Sequence, residues 1–181
     1  DGHNNWDKLC KVRYLYDYIK KKCNELYQPK CHLSVDERMV RNKGRFGFRQ
    51  YIKNKPTKWG FKLWIIAESD TGYTLDFDVY TGKGNADDNE TENVNGMGHN
   101  VVMKLCKRYF NQWYSVFFDN FFTSINLLKS LYQSCVHACG TMLSNRRNFP
   151  RTLKDINNWA KRVNRGGMRW LREGVDRKSV V

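Results

Sequence analysis

Acidic residues are scarce in this chain: 18 Asp and Glu stand against 32 Lys and Arg in 181 residues, a formal net charge of +14. So basic a surface attracts polyanions, which makes nucleic acid the first partner and an anionic membrane surface the weaker alternative. Long apolar runs are missing as well. The longest, Leu63-Trp64-Ile65-Ile66-Ala67, falls far short of the roughly 20 residues of a spanning helix and reads as a buried strand, so no membrane partner is expected. The opening residues Asp1 to Asn5 are polar and form no apolar signal region, so secretion is not indicated. Paired cysteine motifs are also lacking. The six cysteines fall irregularly at 10, 23, 31, 106, 135 and 139, and only Cys135-Val136-His137-Ala138-Cys139 is local. A structural zinc site needs a second such pair, so no zinc site is expected and the thiols read as reduced core residues of an intracellular protein.

What the chain does have is enough apolar matter to fold, with 40% hydrophobic and 14% aromatic residues. One globular unit is expected. Leu9, Val12, Tyr16, Ile19, Cys23 and Leu26 recur at intervals of three and four, which predicts a helix over Trp6 to Tyr27, stopped by Gln28-Pro29. A strand from about Cys31 to Met39 follows, with Leu33, Val35 and Glu37 on one face and Ser34 and Asp36 on the other. From Arg38 to Ala67 there are nine Lys or Arg and no acid. Within that stretch Phe46 to Ile52 and Gly60 to Ala67 read as strands of a basic hairpin turning at Asn54 to Thr57. A further strand covers about Tyr73 to Thr81, after the turn Ser69 to Gly72. The acid- and Gly-rich segment Gly82 to Gly96, with Asp87, Asp88, Glu90 and Glu92, reads as a solvated loop.

Helical spacing returns over His99 to Phe110, followed by a strand Tyr114 to Asp119. A helix covers about Ser124 to Ser134, with Thr123 or Ser124 as N-cap, and a last strand covers His137 to Leu143. From Ser144 to Lys178 the chain carries eleven Lys or Arg against three acids. The expected organisation is a helix within 1–30 packing on a core of 31–143, then a basic extension over 144–181.

Three antiparallel strands followed by αβαβ is the layout of a ribonuclease H-like mixed sheet with flanking helices, an α/β fold. In that layout the strand ending at Asp119 lies beside the one carrying Asp36, so two aspartates 83 residues apart in sequence (119 − 36) converge. Paired carboxylates suit phosphodiester chemistry because Mg²⁺ is a hard ion that takes oxygen ligands, keeps waters and bridges to phosphate. Asp36 and Asp119 are therefore the candidate catalytic and metal-binding residues, although an aspartate at a strand end is by itself more often a turn former or cap. Lys43, Arg45, Arg49, Lys53, Lys55, Lys58 and Lys62, with Arg146 and Arg147, are the candidate DNA-binding residues. Arg162, Arg165 and Arg169 read equally as phosphate contacts or as solvated surface. Trp59, Trp64 and Trp113 read first as core and second as stacking platforms, and His99 and His137 as packing or capping residues.

The stretches Ser34-Val35-Asp36-Glu37, Lys43-Gly44-Arg45, Phe48 to Lys62 and Phe118-Asp119-Asn120-Phe121-Phe122-Thr123-Ser124 resemble the transposase domain of piggyBac transposable elements. Shorter matches are Gly72-Tyr73, Tyr80-Thr81-Gly82, Cys139-Gly140-Thr141, Asn145-Arg146-Arg147 and Met168-Arg169-Trp170. The resemblance runs in order from about Leu9 to Trp170. It implies a DDE/D transposase acting in the nucleus, with Asp36 and Asp119 as first and second catalytic acids holding Mg²⁺ or Mn²⁺. Water, and then a DNA 3′-hydroxyl, would attack phosphodiesters at TTAA sites where the full machinery is present. DNA is the implied partner, and a homodimer is left open. The family's third aspartate lies beyond its Met-Arg-Trp region, and this sequence ends eleven residues past Trp170 (181 − 170). Asp176, in Arg172-Glu173-Gly174-Val175-Asp176-Arg177, does not match its context. The expectation is therefore a truncated and inactive catalytic domain, with a domesticated or decayed DNA-binding protein, or an unstable remnant, as alternatives.

Overall fold

The computed structural model describes residues 7–45, 47–82 and 96–171. Two compact units divide the chain at Thr141/Met142.

In the first unit, helix α1 (Arg13–Glu25) starts later than its periodicity predicts. Asp7 is the reason. Its carboxylate accepts from Leu9 N at 2.9 Å and pairs with Arg13 at 2.7 Å, winding residues 7–12 into tight turns. Trp6 lies outside the described residues. The expected apolar face is also only partly used: Leu9 and Tyr16 are buried, whereas Val12, Ile19 and Leu26 are exposed. The helix meets its neighbour mainly through polar groups. Tyr16 donates its hydroxyl to Asp78 Oδ1 at 2.8 Å, and Lys20 pairs with Asp76 at 3.2 Å.

Both acids belong to strand β4 (Thr74–Val79), part of a six-stranded mixed sheet with β1 (His32–Arg41), β2 (Gln50–Tyr51), β3 (Trp59–Glu68), β5 (Ser115–Phe118) and β6 (His137–Gly140). The order is β2-β3-β1-β5-β6, with β4 also on β3. β3 is antiparallel to β1, β2 and β4, whereas β1, β5 and β6 run parallel. This corrects the extent of the basic hairpin. The segment expected as a strand over 46–52 keeps only Gln50 and Tyr51 in the sheet, paired with Gly60 and Trp59, so β1 pairs directly with β3. Arg49 instead turns back to donate to the Gly44 carbonyl at 3.3 Å, and Phe46 lies outside the described residues.

Helices α2 (Met97–Cys106) and α3 (Ile125–Gln133) complete this unit, with a 3₁₀ turn at Lys107–Tyr109. Ser124 caps α3: its hydroxyl accepts from Leu127 N at 3.2 Å, an arrangement worth about 0.5–2 kcal/mol. The core gathers Leu33 and Val35 of β1, Trp64 and Ile66 of β3, Val116 and Phe118 of β5, and Val102, Leu105, Leu127 and Leu131 of the helices. These are the alternate strand positions and helical i, i+3/i+4 positions that the pattern marks. Truncating a fully buried leucine of this kind to alanine costs about 2–5 kcal/mol. Cys106 is in this core, where burial pushes its thiol up to about 12. Cys10, Cys31 and Cys139 are exposed instead, because they fall on the open sides of their segments. The acidic residues of 83–95 lie outside the described residues.

Glu68, at the end of β3, is a buried carboxylate with a full set of donors. It accepts from Thr71 Oγ1 at 2.6 Å, Tyr27 OH at 2.7 Å and Lys30 N at 2.8 Å. Those bonds, the Thr71 hydroxyl foremost, stabilise the ionised form and lower its pKa to about 2 from an ordinary 4.5. Its contribution to stability is therefore complete above about pH 4.5 and is lost as the pH falls toward about 2. Glu68→Gln puts an amide donor among three donors. It is expected to melt lower at neutral pH and to flatten the acid limb of a Tm-against-pH curve; an unchanged acid limb would show that other carboxylates govern it.

The second unit holds a 3₁₀ turn at Arg151–Leu153 and a short helix α4 (Ile156–Ala160). Arg169 lies over the Trp159 ring at 5.0 Å and donates to the Leu153 carbonyl at 2.8 Å. Arg146 is half-buried and Arg147 exposed.

Candidate metal centre and nucleic-acid interface

The parallel register of β1 and β5 runs from His32↔Ser115 to Val35↔Phe118. Asp36 and Asp119 are each the next residue, one step past the last paired position. Adjacent strands lie about 4.8 Å apart, so this register sets the two aspartates abreast where the parallel β1–β5 pairing ends. Both are exposed. Each uses Oδ1 on the backbone: Asp36 accepts from Glu37 N at 2.7 Å, Asp119 from Phe121 N at 2.9 Å. Among the described residues the Oδ2 of each takes no protein hydrogen bond, which leaves one oxygen apiece for a cation.

Two lysines look toward this pair. Lys55, on the β2–β3 turn, pairs with Glu37 at 3.1 Å, and that bond raises its pKa. Lys62 of β3 is half-buried, and its pKa is lowered, first by burial. Both sense the charges of Asp36, Glu37 and Asp119. The strand alternation keeps Glu37 on the opposite face from Asp36, directly across from Trp64. Its work is to tether Lys55.

Asp119 lies beyond its strand, so a turn must hold it. The Asp119 carbonyl accepts from Thr123 N at 3.2 Å and Thr123 Oγ1 at 2.7 Å. The Phe121 ring stacks on Trp64, centroids 5.5 Å apart and planes 21° apart, and Phe122 meets Trp64 edge-on at 5.5 Å. The Lys62 ammonium lies 3.8 Å from the Trp64 centroid and 5.0 Å from that of Phe121. An aromatic and cation–π brace therefore ties the Asp119 turn to β3, the antiparallel partner of the strand that carries Asp36. Gly140 lies under the turn: a Cβ there would collide with Thr123 Oγ1 and the Phe118 carbonyl.

The other candidate cations belong to the end of β1 and the β2–β3 region. Lys43, Arg45, Lys53 and Lys58 are exposed. Arg49 is half-buried, its guanidinium 4.5 Å from the Trp59 ring centroid. Trp64 is core, as expected, but Trp59 and Trp113 are exposed, because they sit at a strand start and in the turn before β5. His99 packs beside Ser130 at 3.2 Å, and His137 meets the Trp113 edge. Among the described residues no cluster of three His, Cys, Asp or Glu forms a ready metal cage, and Asp176 lies outside them.

A family model described as Transposase IS4 matches residues 1–169. PiggyBac transposable element-derived protein 3 of Homo sapiens is 34% identical over 140 residues, which are 75% of this chain. The chain belongs to the piggyBac-type transposase family. PiggyBac transposable element-derived protein 2 of Homo sapiens is 32% identical over 141 residues, again 75% of this chain. The chain spans 23% of the length of each of these two human proteins. A cryo-EM structure of the piggyBac transposase synaptic complex with hairpin DNA superimposes with a TM-score of 0.75 at 33% identity, covering 83% of this chain and 31% of that one.

For this piggyBac-type chain, the sequence pointed to the two aspartates but not to what holds them. Phe121, Trp64 and the Glu37 tether emerge only in three dimensions. The consecutive aromatics Phe121-Phe122, one intervening residue after Asp119, were the available signal, since two large rings in a turn need a surface to cover them.

Proposed function

We propose that this chain supplies the DNA-facing part of a ribonuclease H-like transposase core, in which Asp36 and Asp119 hold Mg²⁺ or Mn²⁺ for phosphodiester cleavage and strand transfer. The observation that carries the reading is the β1–β5 register, which sets two exposed carboxylates abreast, each with an oxygen to spare. The donor set fits the ion: hard oxygen ligands from two carboxylates, with waters and phosphate completing the shell. Held by Asp36 and Asp119, such an ion would supply Lewis-acid polarisation of a phosphoryl group and a more nucleophilic oxygen. The chain's own residues do the rest. Lys55 and Lys62 bring positive charge to the two carboxylates, and Lys43, Arg45, Arg49, Lys53 and Lys58 add to it within the first unit; Arg146 and Arg147 are phosphate contacts of the second unit taken by itself. The antiparallel β1-β3-β4 set followed by parallel β1-β5-β6 supports a core over 31–143. The DNA in the synaptic complex of the structural neighbour supports the partner, and a nuclear location and a homodimer belong to the same proposal.

Binding to duplex DNA is expected to fall steeply with salt. Seven engaged cations, from Lys43 to Lys62, give a log–log slope of about −6. Incubation with supercoiled DNA and Mn²⁺ separates the readings: nicks that vanish in Asp36→Ala and Asp119→Ala would mark an active core and overturn the expected inactivity. Binding without nicking would favour a non-enzymatic DNA-binding derivative, and salt-independent binding would remove the basic face from the account.

A further inference from the structure

Where β1 ends beside the start of β3, an open cleft of about 360 Å³ is lined by Arg41, Asn42, Lys43, Pro56, Thr57, Lys58 and Trp59. Its size is in the range of small-ligand sites, and its lining is unusual in composition: three cations, no acid, and one large ring. Arg41, Lys43 and Lys58 are all exposed. Trp59 is 49% exposed, yet its indole is held, by Tyr51 at 4.7 Å between centroids and by the Arg49 guanidinium at 4.5 Å. The floor is fixed by backbone bonds, with Asn42 N donating to the Trp59 carbonyl at 3.4 Å and Ile52 N to that of Lys58 at 2.9 Å. At Gly60 the strands close so tightly that a Cβ would collide with the Val40 carbonyl. Trp59 is therefore seated beside a rigid strand pair and does not hang on a free loop.

A ligand that satisfies this lining carries a planar ring for Trp59 and anionic groups for the three cations. In a basic face that follows a DNA strand, one ligand has both: a nucleotide whose base has left the stack. We infer that the cleft receives one unstacked nucleotide of a DNA strand, its base against Trp59 and its flanking phosphates on Arg41, Lys43 and Lys58. The inference rests on the DNA-binding reading and deepens it, because a paired duplex offers phosphates but no free ring face. Ring contact of this kind tolerates any base, so the site recognises distortion of the strand rather than its sequence.

The test compares two duplexes by fluorescence anisotropy at one fixed salt concentration, one fully paired and one with a single bulged nucleotide. The chain is expected to bind the bulged duplex about tenfold tighter, in line with the worth of one base stacked on an aromatic ring. Trp59→Ala is expected to bring the ratio to about one, whatever change it makes to the affinity for the paired duplex. Trp59→Phe keeps a ring and part of the preference, so it remains informative where the alanine variant melts below the parent. Binding of both duplexes with equal affinity by the parent, or the same preference in Trp59→Ala, would overturn the cleft assignment while leaving DNA binding intact. Failure of the parent to bind either duplex would overturn the DNA reading itself. Tighter binding of free deoxyadenosine monophosphate than of the bulged duplex, lost in Trp59→Ala, would overturn the strand as the occupant in favour of a free nucleotide.

Discussion

Alanine at Asp36 or Asp119 is expected to weaken Mn²⁺ binding by about 100-fold or more, read as free Mn²⁺ by electron paramagnetic resonance. The reason is local charge. Lys55 and Lys62 sense the charges of Asp36, Glu37 and Asp119, a balance of one negative charge (−3 + 2), and each aspartate removed cancels it. Loss of groups that merely support a metal ligand costs roughly 10–100-fold, and loss of a ligand costs at least as much. Duplex DNA affinity moves the other way, staying level or rising as negative charge leaves the interface. Phe121→Ala is expected to fall between, at about tenfold weaker Mn²⁺ binding, since it leaves both carboxylates in place but removes the ring that pins the Asp119 turn to Trp64 and Lys62. Mn²⁺ binding that is unchanged in both aspartate variants would place the ion elsewhere and end the two-carboxylate reading.

Gly140→Ala is expected to cost about 1–3 kcal/mol of stability, the usual range for forcing an extra methyl into a packed site, and to weaken Mn²⁺ binding alongside. Gly140 pairs with Phe118 across the parallel β5–β6 ladder, and a Cβ would strike the Phe118 carbonyl, a backbone atom committed to the sheet. It would also strike Thr123 Oγ1, which holds the Asp119 carbonyl at 2.7 Å. The strand edge and the acid's own turn therefore have to yield together. Chemical denaturation and the Mn²⁺ titration check the two halves separately. A variant as stable as the parent would mean that β6 can shift away from the turn.

Much of this arrangement is legible in the residues. The alternation of Leu33 and Val35 against Ser34 and Asp36 assigns β1 its faces, and the run Leu63 to Ala67 marks the most buried strand, because pleated backbone sends successive side chains to opposite sides. Ser124 announces the start of α3 through its hydroxyl. Local signals failed where distant contacts outweighed them. The segment 46–52 has strand composition, but Arg49 turns toward Gly44 and Trp59, so only two residues reach the ladder. The spacing of α1 promised an apolar face, but Asp76 and Asp78 of β4 drew the helix in through Tyr16 and Lys20, leaving Val12, Ile19 and Leu26 in water.

The sequence alone determined the basic character of the chain, the strands and helices with strong periodicity, and the two candidate aspartates, because composition and side-chain alternation are local properties. Only the tertiary structure decided that β1 pairs with both β3 and β5, which brings residues 83 positions apart (119 − 36) side by side. It alone also decided that Lys62, Trp64 and Phe121 form one brace and that Lys55 answers to Glu37. Those are contacts across the sheet, and the energy of a long-range pairing depends on which strands are neighbours, something no stretch of sequence carries by itself.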